Sequence, residues 1–282
     1  MAKIELKNVN YIYSPGTKNE TKALDDVNLS IGDDEFVAII GHTGSGKSTL
    51  IQLMNGLLKC ASGEVLIDGE SIDNKGFDKA TLRKRVGIVF QNADTQLFEE
   101  TVLKDVCFGP KNLGFSNEEA EKKALEAMEL VDVPKHSYNK SVFEISGGQK
   151  RRVAIAGVLA MEPDILILDE PTSGLDPRGR NKIMNIMKKL HEEKGITIIW
   201  VSHNMDQVAK HAKRIVVMND GKVVFDDEAK KVFAKSKELE EMGLKAPQVS
   251  AIMSGLKDAG LNVDTSIINI EEAKNNILEV LK

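Results

Sequence analysis

A short glycine-rich segment, Gly41–Thr49, has the residue types and spacing needed to bind a chain of phosphates. It matches the pattern G-x-x-x-x-G-K-[ST], and we call it the phosphate loop. Its glycines allow a tight turn whose backbone N–H groups converge on phosphate oxygens, at a helix N-terminus that already favours anions. Lys47 is expected to reach the β- and γ-phosphates, and the Ser48 hydroxyl is expected to bind Mg²⁺. The candidate nucleotide-binding residues here are Gly41, His42, Thr43, Gly44, Ser45, Gly46, Lys47, Ser48 and Thr49.

Two adjacent carboxylates follow an apolar run later in the chain. Ile165–Leu168 has the pattern of a buried strand that ends at Asp169 and Glu170. Asp169 suits the coordination shell of Mg²⁺, and Glu170 suits the orientation or deprotonation of an attacking water. The alternative is that the Asp-Glu-Pro sequence only caps the next helix, and the pair alone does not decide between the two.

A second anion site is predicted at Ile145–Gln149, which we call the ISGGQ segment. It lies just before the helical stretch Arg151–Met161, so its serine hydroxyl and glycine amides face a helix N-terminus. One compact ATPase has little use for two such sites on one nucleotide. We therefore expect this segment to serve a nucleotide held by another subunit. Its candidate residues are Ser146, Gly147, Gly148 and Gln149.

The elements that must position these residues are short apolar runs without polar alternation, typical of parallel strands buried on both faces. The runs are Val37–Ile40, Gly87–Phe90, Ile165–Leu168 and Thr197–Val201. A candidate functional residue follows each run directly. These residues are Gly41, Gln91, Asp169 with Glu170, and Ser202 with His203. Since ligands of open α/β sheets bind outside the carboxyl ends of the strands, the four coincidences point to one site.

The remaining patterns predict an antiparallel region and helices. Alternation in Lys3–Val9, and more loosely in Gly63–Gly69, is typical of antiparallel strands with one wet face. Ser116–Val131 predicts an amphipathic helix that starts from a Ser-Asn-Glu-Glu cap. Past Gly221 the pattern becomes helical, with a charged amphipathic helix over Glu228–Met242 and two further helical stretches.

The predicted fold class is α/β, with a mainly parallel sheet of the P-loop NTPase type. An N-terminal antiparallel β subdomain, an α-helical subdomain and C-terminal helices accompany the sheet. We expect a nucleotide-binding core over residues 1–225, with its helical subdomain at about residues 92–160. Residues 226–282 are expected to form a helical appendage, which we call the C-terminal extension.

The composition argues against several classes of protein. The 282 residues include 38 Lys and Arg against 43 Asp and Glu, a formal net charge of −5. This balance lacks the overall basic footprint of a nucleic-acid binder. No run approaches the ~18 apolar residues that span a bilayer. The N-terminus has no apolar signal-peptide region, which favours the cytoplasm, and two cysteines exclude a disulfide framework.

Two basic clusters are the remaining candidates for contact with nucleic acid or anionic lipid. They are Arg83–Arg85 and Lys150–Arg152. The favoured interpretation is that both are solvated helix faces, or that the second makes contacts near the helix after the ISGGQ segment. We therefore expect no nucleic-acid partner.

Taken in order, the motifs resemble those of an ATP-binding-cassette ATPase. They are the phosphate loop, Gln91, ISGGQ, ILILDE, the segment Ser173–Asp176 and His203, and the resemblance covers residues 1 to about 225. The sequence departs from the family at Ile145, where Leu is usual. This near-isosteric exchange should cost little.

The resemblance implies a role for each matching residue. Tyr13 would stack on the adenine, with Tyr11 as the competing choice, and Asp176 would communicate between two sites. Ser146 and its two following glycines would clamp the γ-phosphate of an ATP across a dimer. The implied catalytic residues are Lys47, Gln91, Glu170 and His203, and the implied ligands of Mg²⁺ are Ser48, Gln91 and Asp169.

One loop carries a narrower resemblance. Gln91–Gly114 is similar to the corresponding loop of energy-coupling-factor transporters, and residues 147–180 are similar to the second ATPase of their usual pair. These importers of vitamins and metal ions pair two ATPases with a transmembrane scaffold and a substrate-capturing membrane subunit. Their ATPases also carry a C-terminal extension that contributes to dimer contact.

The narrower resemblance implies an ATP-hydrolysing subunit at the cytoplasmic side of the cell membrane, paired with an identical or different ATPase. Transport selectivity would then lie in a membrane subunit. The alternatives are another transporter class, for cobalt or nickel uptake or for export, and a soluble cassette ATPase that acts on DNA or ribosomes. A regulatory nucleotide-binding subunit is a further alternative. Such subunits usually lack the residue that acts as base or the histidine that contacts the γ-phosphate, whereas this chain has both Glu170 and His203.

Overall fold

A computed structural model describes residues 2–92 and 95–281 of the chain. Met1, Ala93, Asp94 and Lys282, which belong to the predicted core, the Gln91–Gly114 loop and the C-terminal extension, lie outside the described residues. The described part contains ten strands. In chain order they are β1 (Ala2–Tyr13), β2 (Thr21–Gly32), β3 (Phe36–Ile40), β4 (Ser62–Ile67), β5 (Glu70–Ser71), β6 (Val86–Val89), β7 (Ile165–Asp169), β8 (Thr197–Val201), β9 (Arg214–Asn219) and β10 (Lys222–Glu228).

Eleven α-helices connect or follow these strands within the described residues. They are α1 (Lys47–Met54), α2 (Lys79–Arg85), α3 (Val102–Asn112), α4 (Asn117–Leu130), α5 (Gly147–Leu159), α6 (Pro177–Lys194), α7 (Met205–His211), α8 (Ala229–Phe233), α9 (Ser236–Glu241), α10 (Gln248–Asp258) and α11 (Ile270–Val280). In the part of the chain that is described, none of these helices combines the length and the apolar character needed to cross a bilayer.

The central sheet has the strand order β10-β9-β3-β8-β7-β6. The strands from β9 to β6 run parallel to one another, and β10 pairs antiparallel with β9. The four strands predicted from apolar runs are β3, β6, β7 and β8, and the prediction is confirmed to within a residue at each end. The sequence interpretation did not identify β2, β5, β9 or β10.

Two hydrophobic cores lie on opposite faces of this sheet, which explains why its strands lack polar alternation. In β7, Leu166 and Leu168 belong to the core that the helical subdomain and α6 cover. Ile165 and Ile167 belong to the core under α1 and the antiparallel sheet. Every second residue therefore faces a different core, and both sets must be apolar.

The second sheet is antiparallel, with the strand order β2-β1-β4-β5. β1 pairs with β2 on one side and with β4 on the other. Both antiparallel strands that the alternating pattern predicts are therefore confirmed. Inward residues such as Ile4 and Val65 join the core under α1, which holds this sheet against the phosphate-loop helix.

Three helices, α3, α4 and α5, follow β6 and precede β7 in the chain, and they pack together as the helical layer. The start of α4 has the cap that the sequence predicts. Ser116 accepts a hydrogen bond from the Glu119 backbone N–H, and the Glu119 carboxylate accepts one from the Ser116 backbone N–H. This reciprocal arrangement satisfies two N–H groups that the helix itself leaves without partners.

The C-terminal extension departs from the prediction at its start. The single helix expected over Glu228–Met242 is wrong, because β10 continues to Glu228 and two short helices, α8 and α9, follow. Phe233 and Leu239 enter the main core, so this part is attached to the sheet. The two further helices are confirmed as α10 and α11, which share a small core of their own around Met253.

Candidate nucleotide-binding site

The predicted site residues follow neighbouring parallel strands at one edge of the central sheet. The phosphate loop follows β3, Gln91 follows β6, Asp169 and Glu170 lie at the end of β7, and His203 follows β8. Backbone hydrogen bonds keep these strand ends level, since the Glu170 N–H donates to Val201 and the Ser202 N–H donates to Ile39. The structure thus brings the four strand-end groups to the same side, as the sequence predicts.

The phosphate loop ends in a helix start that has no side-chain cap. Gly46 is the N-cap of α1, with a φ of +101°, and no side chain accepts from the first turn. A Cβ at this position would lie 2.6 Å from the Ala23 carbonyl oxygen. The first-turn N–H groups therefore remain available as donors, and an anion at this helix N-terminus would satisfy them.

The β9–β10 hairpin supports the loop from below. The Gly221 N–H donates to the Ser45 carbonyl at 3.1 Å. A Cβ at Gly41 would lie 2.4 Å from the Met218 carbonyl oxygen, so only glycine permits this close approach. The loop is packed against a rigid element, which pre-organises its N–H groups before a phosphate binds.

The Lys47 ammonium lies over the phosphate loop. It donates to the carbonyl oxygens of Gly41 at 2.8 Å and His42 at 2.7 Å, and to the Ser45 hydroxyl at 3.2 Å. Partial burial lowers the pKa of Lys47, and the carboxylates of Glu170 and Asp169 oppose this shift. A phosphate would restore a negative partner to this half-buried cation.

Asp169 faces the hydroxyl that the sequence predicts as its partner in metal binding. Its Oδ2 atom accepts a hydrogen bond from the Ser48 hydroxyl at 3.4 Å. Burial raises the pKa of Asp169, and Lys47, Ser48 and Arg151 oppose that shift. A carboxylate and a hydroxyl are the hard oxygen donors that Mg²⁺ prefers. The described residues contain no cluster of three His, Cys, Asp or Glu. Phosphate oxygens, water and Gln91, which the sequence also predicts as a ligand, would complete the coordination shell.

Glu170 forms a close pair with His203. The His203 Nδ1 atom lies 2.7 Å from Glu170 Oε1, while the imidazole is two-thirds exposed and the carboxylate is nearly buried. Burial raises the pKa of Glu170 and Asp169 adds to the shift, whereas the hydrogen bond to His203 opposes it. The φ of Glu170 is +49°, a left-handed conformation that is uncommon outside glycine and costs energy. A carboxylate that could act as a base and an imidazole that could orient it thus lie in contact.

Both tyrosines considered for adenine lie near α1. The Tyr13 hydroxyl is 3.1 Å from the Thr49 hydroxyl, and the Tyr13 ring is exposed. Tyr11 packs edge-on against Tyr13, with ring centroids 4.8 Å apart, and burial raises the pKa of Tyr11. Tyr13 therefore offers the more accessible face.

The ISGGQ segment lies apart from the phosphate loop. Ser146 caps α5, accepting from the Gln149 N–H, and Gln149 Oε1 accepts from the Ser146 N–H at 2.9 Å. The α5 helix packs beside β6, and by the usual strand spacing β6 lies about 14 Å from β3, the strand that precedes the phosphate loop. Ser146 and Gly147 are exposed to solvent. The segment is thus presented outward while Gln149 is committed to its capping box.

Asp176 has a structural partner within its own subunit. It is the N-cap of α6 and accepts from the Gly179 N–H. The preceding Leu175 lies next to Gly148, since a Cβ on Gly148 would be 3.9 Å from Leu175 Cδ2. The Ser173–Asp176 segment therefore borders the ISGGQ segment.

Comparison with known proteins decides the family. Residues 24–173 match the sequence pattern of the ABC transporter family. The chain belongs to this family. The energy-coupling factor transporter ATP-binding protein EcfA2 of Clostridium tetani is 53% identical over 98% of this chain and 96% of that protein. The EcfA2 of Caldanaerobacter subterraneus is 51% identical over 99% and 98%, respectively.

Solved structures of ABC proteins share the fold. Clostridium perfringens cbiO1, described as part of the ABC transporter complex cbiONQ, has a TM-score of 0.75 and 40% identity over 90% of this chain and 99% of that one. A dimeric ATP-binding cassette, MJ0796, bound to ADP and Pi has a TM-score of 0.72 and 36% identity over 80% and 98%. The predicted fold class and the similarity to energy-coupling-factor ATPases are both confirmed.

Of the two interpretations of the basic cluster Lys150–Arg152, contacts near the helix after the ISGGQ segment fit Arg151 of this ABC ATPase. Arg151, expected on a solvated face or in contacts near the ISGGQ segment, is buried. Its guanidinium donates to the carbonyl of Phe90, the residue before Gln91, at 3.0 Å. Arg151 therefore connects the helix of the ISGGQ segment to the start of the Gln91 loop. The basic triplet was the only available signal, and it does not distinguish a buried guanidinium from exposed ones.

An exposed aromatic pair joins the segment after Gln91 to α3 in this ABC ATPase. The rings of Phe98 and Phe108 meet edge-to-face with centroids 4.7 Å apart, and both are exposed. The Asp105 carboxylate accepts the N–H groups of Phe98 at 2.9 Å and Glu99 at 3.0 Å, which orders the loop. Burial raises the pKa of Asp105.

Proposed function

We propose that the chain is the ATP-hydrolysing subunit of an energy-coupling-factor importer, in which hydrolysis at a dimer interface drives uptake of a vitamin or metal ion. The observation that carries the proposal is the convergence of the phosphate loop, Asp169 and the Glu170–His203 pair at one sheet edge. The names of relatives that match nearly the whole chain support the choice of transporter class.

The chain's own residues supply positioning and charge. The first-turn N–H groups of α1 hold phosphate oxygens, and the Lys47 ammonium turns from the loop carbonyls to the β- and γ-phosphates. Ser48 and Asp169 would hold Mg²⁺, which offsets phosphate charge when bound. Glu170 orients or deprotonates the attacking water, and His203 donates a hydrogen bond to the γ-phosphate.

The second half of the site comes from another ATPase subunit. The ISGGQ segment suits this role, because it lies at the N-terminus of α5 and its residues Ser146 and Gly147 are exposed. ATP then favours the closed dimer, since its γ-phosphate gains contacts that the open state lacks. Hydrolysis removes those contacts and the dimer reopens. Asp176, beside the ISGGQ segment, passes this change between the two sites.

Three further assignments complete the proposal. The exposed ring of Tyr13 stacks on the adenine, and Gln149 holds Ser146 in place through the capping box. Gln91 contacts Mg²⁺ or the water. The core over residues 1–225 carries this chemistry, and the C-terminal extension contributes to dimer contact.

Membrane subunits are the proposed recipients of the motion. The Phe98–Phe108 pair supports this, because it is an exposed apolar feature formed by the segment after Gln91 and the helix α3 that follows it. A transmembrane scaffold that contacts this face would hold the ATPase peripherally at the cytoplasmic side of the membrane. Conformational change at Gln91 would then reach the scaffold directly.

Isolation of the tagged full-length chain from its native membranes tests this proposal. We expect a transmembrane scaffold, a small substrate-binding membrane subunit and an ATPase partner to be identified by mass spectrometry. A matched isolation of Phe98→Ser, which alters only the exposed aromatic face, should recover less scaffold. Recovery of ribosomal proteins or DNA-repair proteins in place of membrane subunits would overturn the transporter assignment.

A further inference from the structure

The short helix α7 is the element that carries His203 toward Glu170. His203 lies two residues before α7, whose N-cap is Asn204. The Asn204 side chain accepts from the Gln207 N–H at 3.1 Å, and the Ser202 hydroxyl accepts from the Asn204 N–H at 3.1 Å. A helix of seven residues is not stable by itself, so its neighbours determine where it sits.

One neighbour of α7 is the segment that contains the base. The Thr172 hydroxyl, which is buried two residues after Glu170, donates to Gln207 Oε1 at 2.9 Å. His203 itself reaches Glu170 at 2.7 Å. Two hydrogen bonds, one before and one within α7, therefore set the helix relative to Glu170.

The other neighbour is the C-terminal extension. Asp206 Oδ1 accepts from the backbone N–H of Gln248, the first residue of α10, at 2.8 Å. Met205 and Val208 of α7 share the main core with Val232 and Phe233 of α8. The carboxylate of Asp206 also faces the positive end of α10, where a negative charge is favoured.

We propose that the C-terminal extension positions His203 through α7, with Asp206 as the positioning residue. The extension holds the outer side of α7, and Thr172 holds the inner side. Release of the outer contact lets α7 shift, and His203 then loses its place beside Glu170. This inference rests on the proposed role of His203 in turnover.

We expect a shift of α7 to change the rate of ATP turnover and not the binding of ATP. The phosphate loop takes its support from α1 and from the β9–β10 hairpin, through the contacts of Gly46, Gly221 and Met218. A shift of α7 therefore lowers kcat and leaves KM for ATP unchanged. A general loss of structure would instead change both constants and lower the melting temperature.

The backbone position of Gln248 allows a substitution that removes only the hydrogen bond. Gln248→Pro deletes the N–H donor at the first position of α10, where proline fits a helix well. The preceding Pro247 has a ψ of 144°, the extended conformation that a following proline requires. Gln248→Ala removes the exposed side chain, keeps the N–H group and serves as the matched control.

We expect Gln248→Pro to lower kcat by about threefold to tenfold at constant KM, in the isolated transporter complex. Gln248→Ala should match the wild type. Asp206→Ala should reproduce the loss, and Asp206→Asn, which keeps an oxygen acceptor, should restore kcat to within about twofold of the wild type. The double variant Asp206→Ala with Gln248→Pro should be no slower than either single variant, because both remove the same contact.

Wild-type kcat in both Gln248→Pro and Asp206→Ala would overturn the proposal. Additive losses in the double variant would do the same, since the two groups would then act separately. His203→Ala separates the proposed role of His203 in turnover from the proposed coupling through α7. If His203→Ala turns over normally, the proposed role of His203 fails; if only His203→Ala is slow, the coupling through α7 fails.

Discussion

At the scale of single residues, the proposed hydrolysis depends most on Glu170. The carboxylate of Glu170 is nearly buried and contacts the exposed imidazole of His203. The backbone of Glu170 has a left-handed conformation. Such a costly arrangement is retained where chemistry requires a particular orientation. The position of Glu170, beside Asp169 and above the phosphate loop, fits a base that acts on water next to a γ-phosphate.

Glu170→Gln should abolish turnover and keep ATP binding. The amide has the shape of the carboxylate but cannot accept a proton, so kcat should fall by about 10²-fold to 10⁴-fold. The trapped ATP should also stabilise the closed dimer. ATP hydrolysis and ATP affinity, measured in the assembled complex, check both expectations, with the exposed Glu192→Gln as control. Wild-type turnover in Glu170→Gln would remove Glu170 from the role of base.

The pKa of Glu170 offers a second prediction that needs no nucleotide. Because burial raises this pKa, the carboxyl group should remain protonated to a higher pH than an ordinary glutamate, whose pKa is about 4.3. Carbon-13 spectra of the labelled full-length chain should show one glutamate carboxyl resonance that titrates late and is missing in Glu170→Gln. The hydrogen bond from His203 opposes the shift, so His203→Ala should move the titration to still higher pH. Titration of Glu170 at or below the ordinary value would contradict the described burial.

Residue patterns predicted chemistry better than they predicted environment. The phosphate loop was identifiable because its glycines, lysine and serine have fixed spacing. Arg151 was not, because three consecutive basic residues look alike whether one turns inward or all face water. Its burial depends on where the Phe90 carbonyl lies, and only the packing of α5 beside β6 determines that.

At the scale of elements, β6 and α5 must approach closely for Arg151 to reach Phe90. Gly87 of β6 makes this possible, since a Cβ there would lie 2.3 Å from Val158 Cγ1 on α5. A Cβ on Gly157, in the same helix, would meet no atom within 4 Å and would face open space. The packing of β6 against α5 therefore requires glycine at position 87 but not at position 157.

Gly87→Ala should destabilise the chain by about 1–3 kcal/mol, because the added methyl group forces α5 away from β6. Gly157→Ala is the matched control and should be neutral or stabilising by up to about 1 kcal/mol, since alanine is the better helix former. Chemical denaturation of the full-length variants measures both. Equal stability of the two variants would mean that β6 and α5 are not closely packed.

Element boundaries show where sequence patterns stop being informative. The charged stretch 228–242 has a helical pattern, but β10 continues to Glu228 and the helix divides after Phe233. On one straight helix, Phe233 and Leu239 would point about 120° apart, because they are six residues apart. Both residues nevertheless lie in the main core. The apolar residues of β9 carried a strand signal that the sequence interpretation overlooked. Its partner β10 is harder to predict, because its half-exposed side chains have no regular alternation.

At the scale of the whole molecule, we propose that one subunit carries two separate half-sites. The phosphate loop and the Glu170–His203 pair follow the strands β3, β7 and β8, whereas the ISGGQ segment precedes α5, which packs beside the outer strand β6. The motif order in the sequence predicts both parts, and their roles stay predictions. The separation of the parts follows from strand order, which the sequence alone did not establish.

Ser146→Arg tests the shared site most directly. The test compares ATP affinity in the isolated chain with ATP hydrolysis in the complex from native membranes. Ser146→Thr is the control that keeps the hydroxyl. If Ser146 acts on the nucleotide of the other subunit, affinity stays within about twofold while hydrolysis falls about tenfold or more. Unchanged hydrolysis, or weaker ATP binding by the isolated chain, would contradict the account.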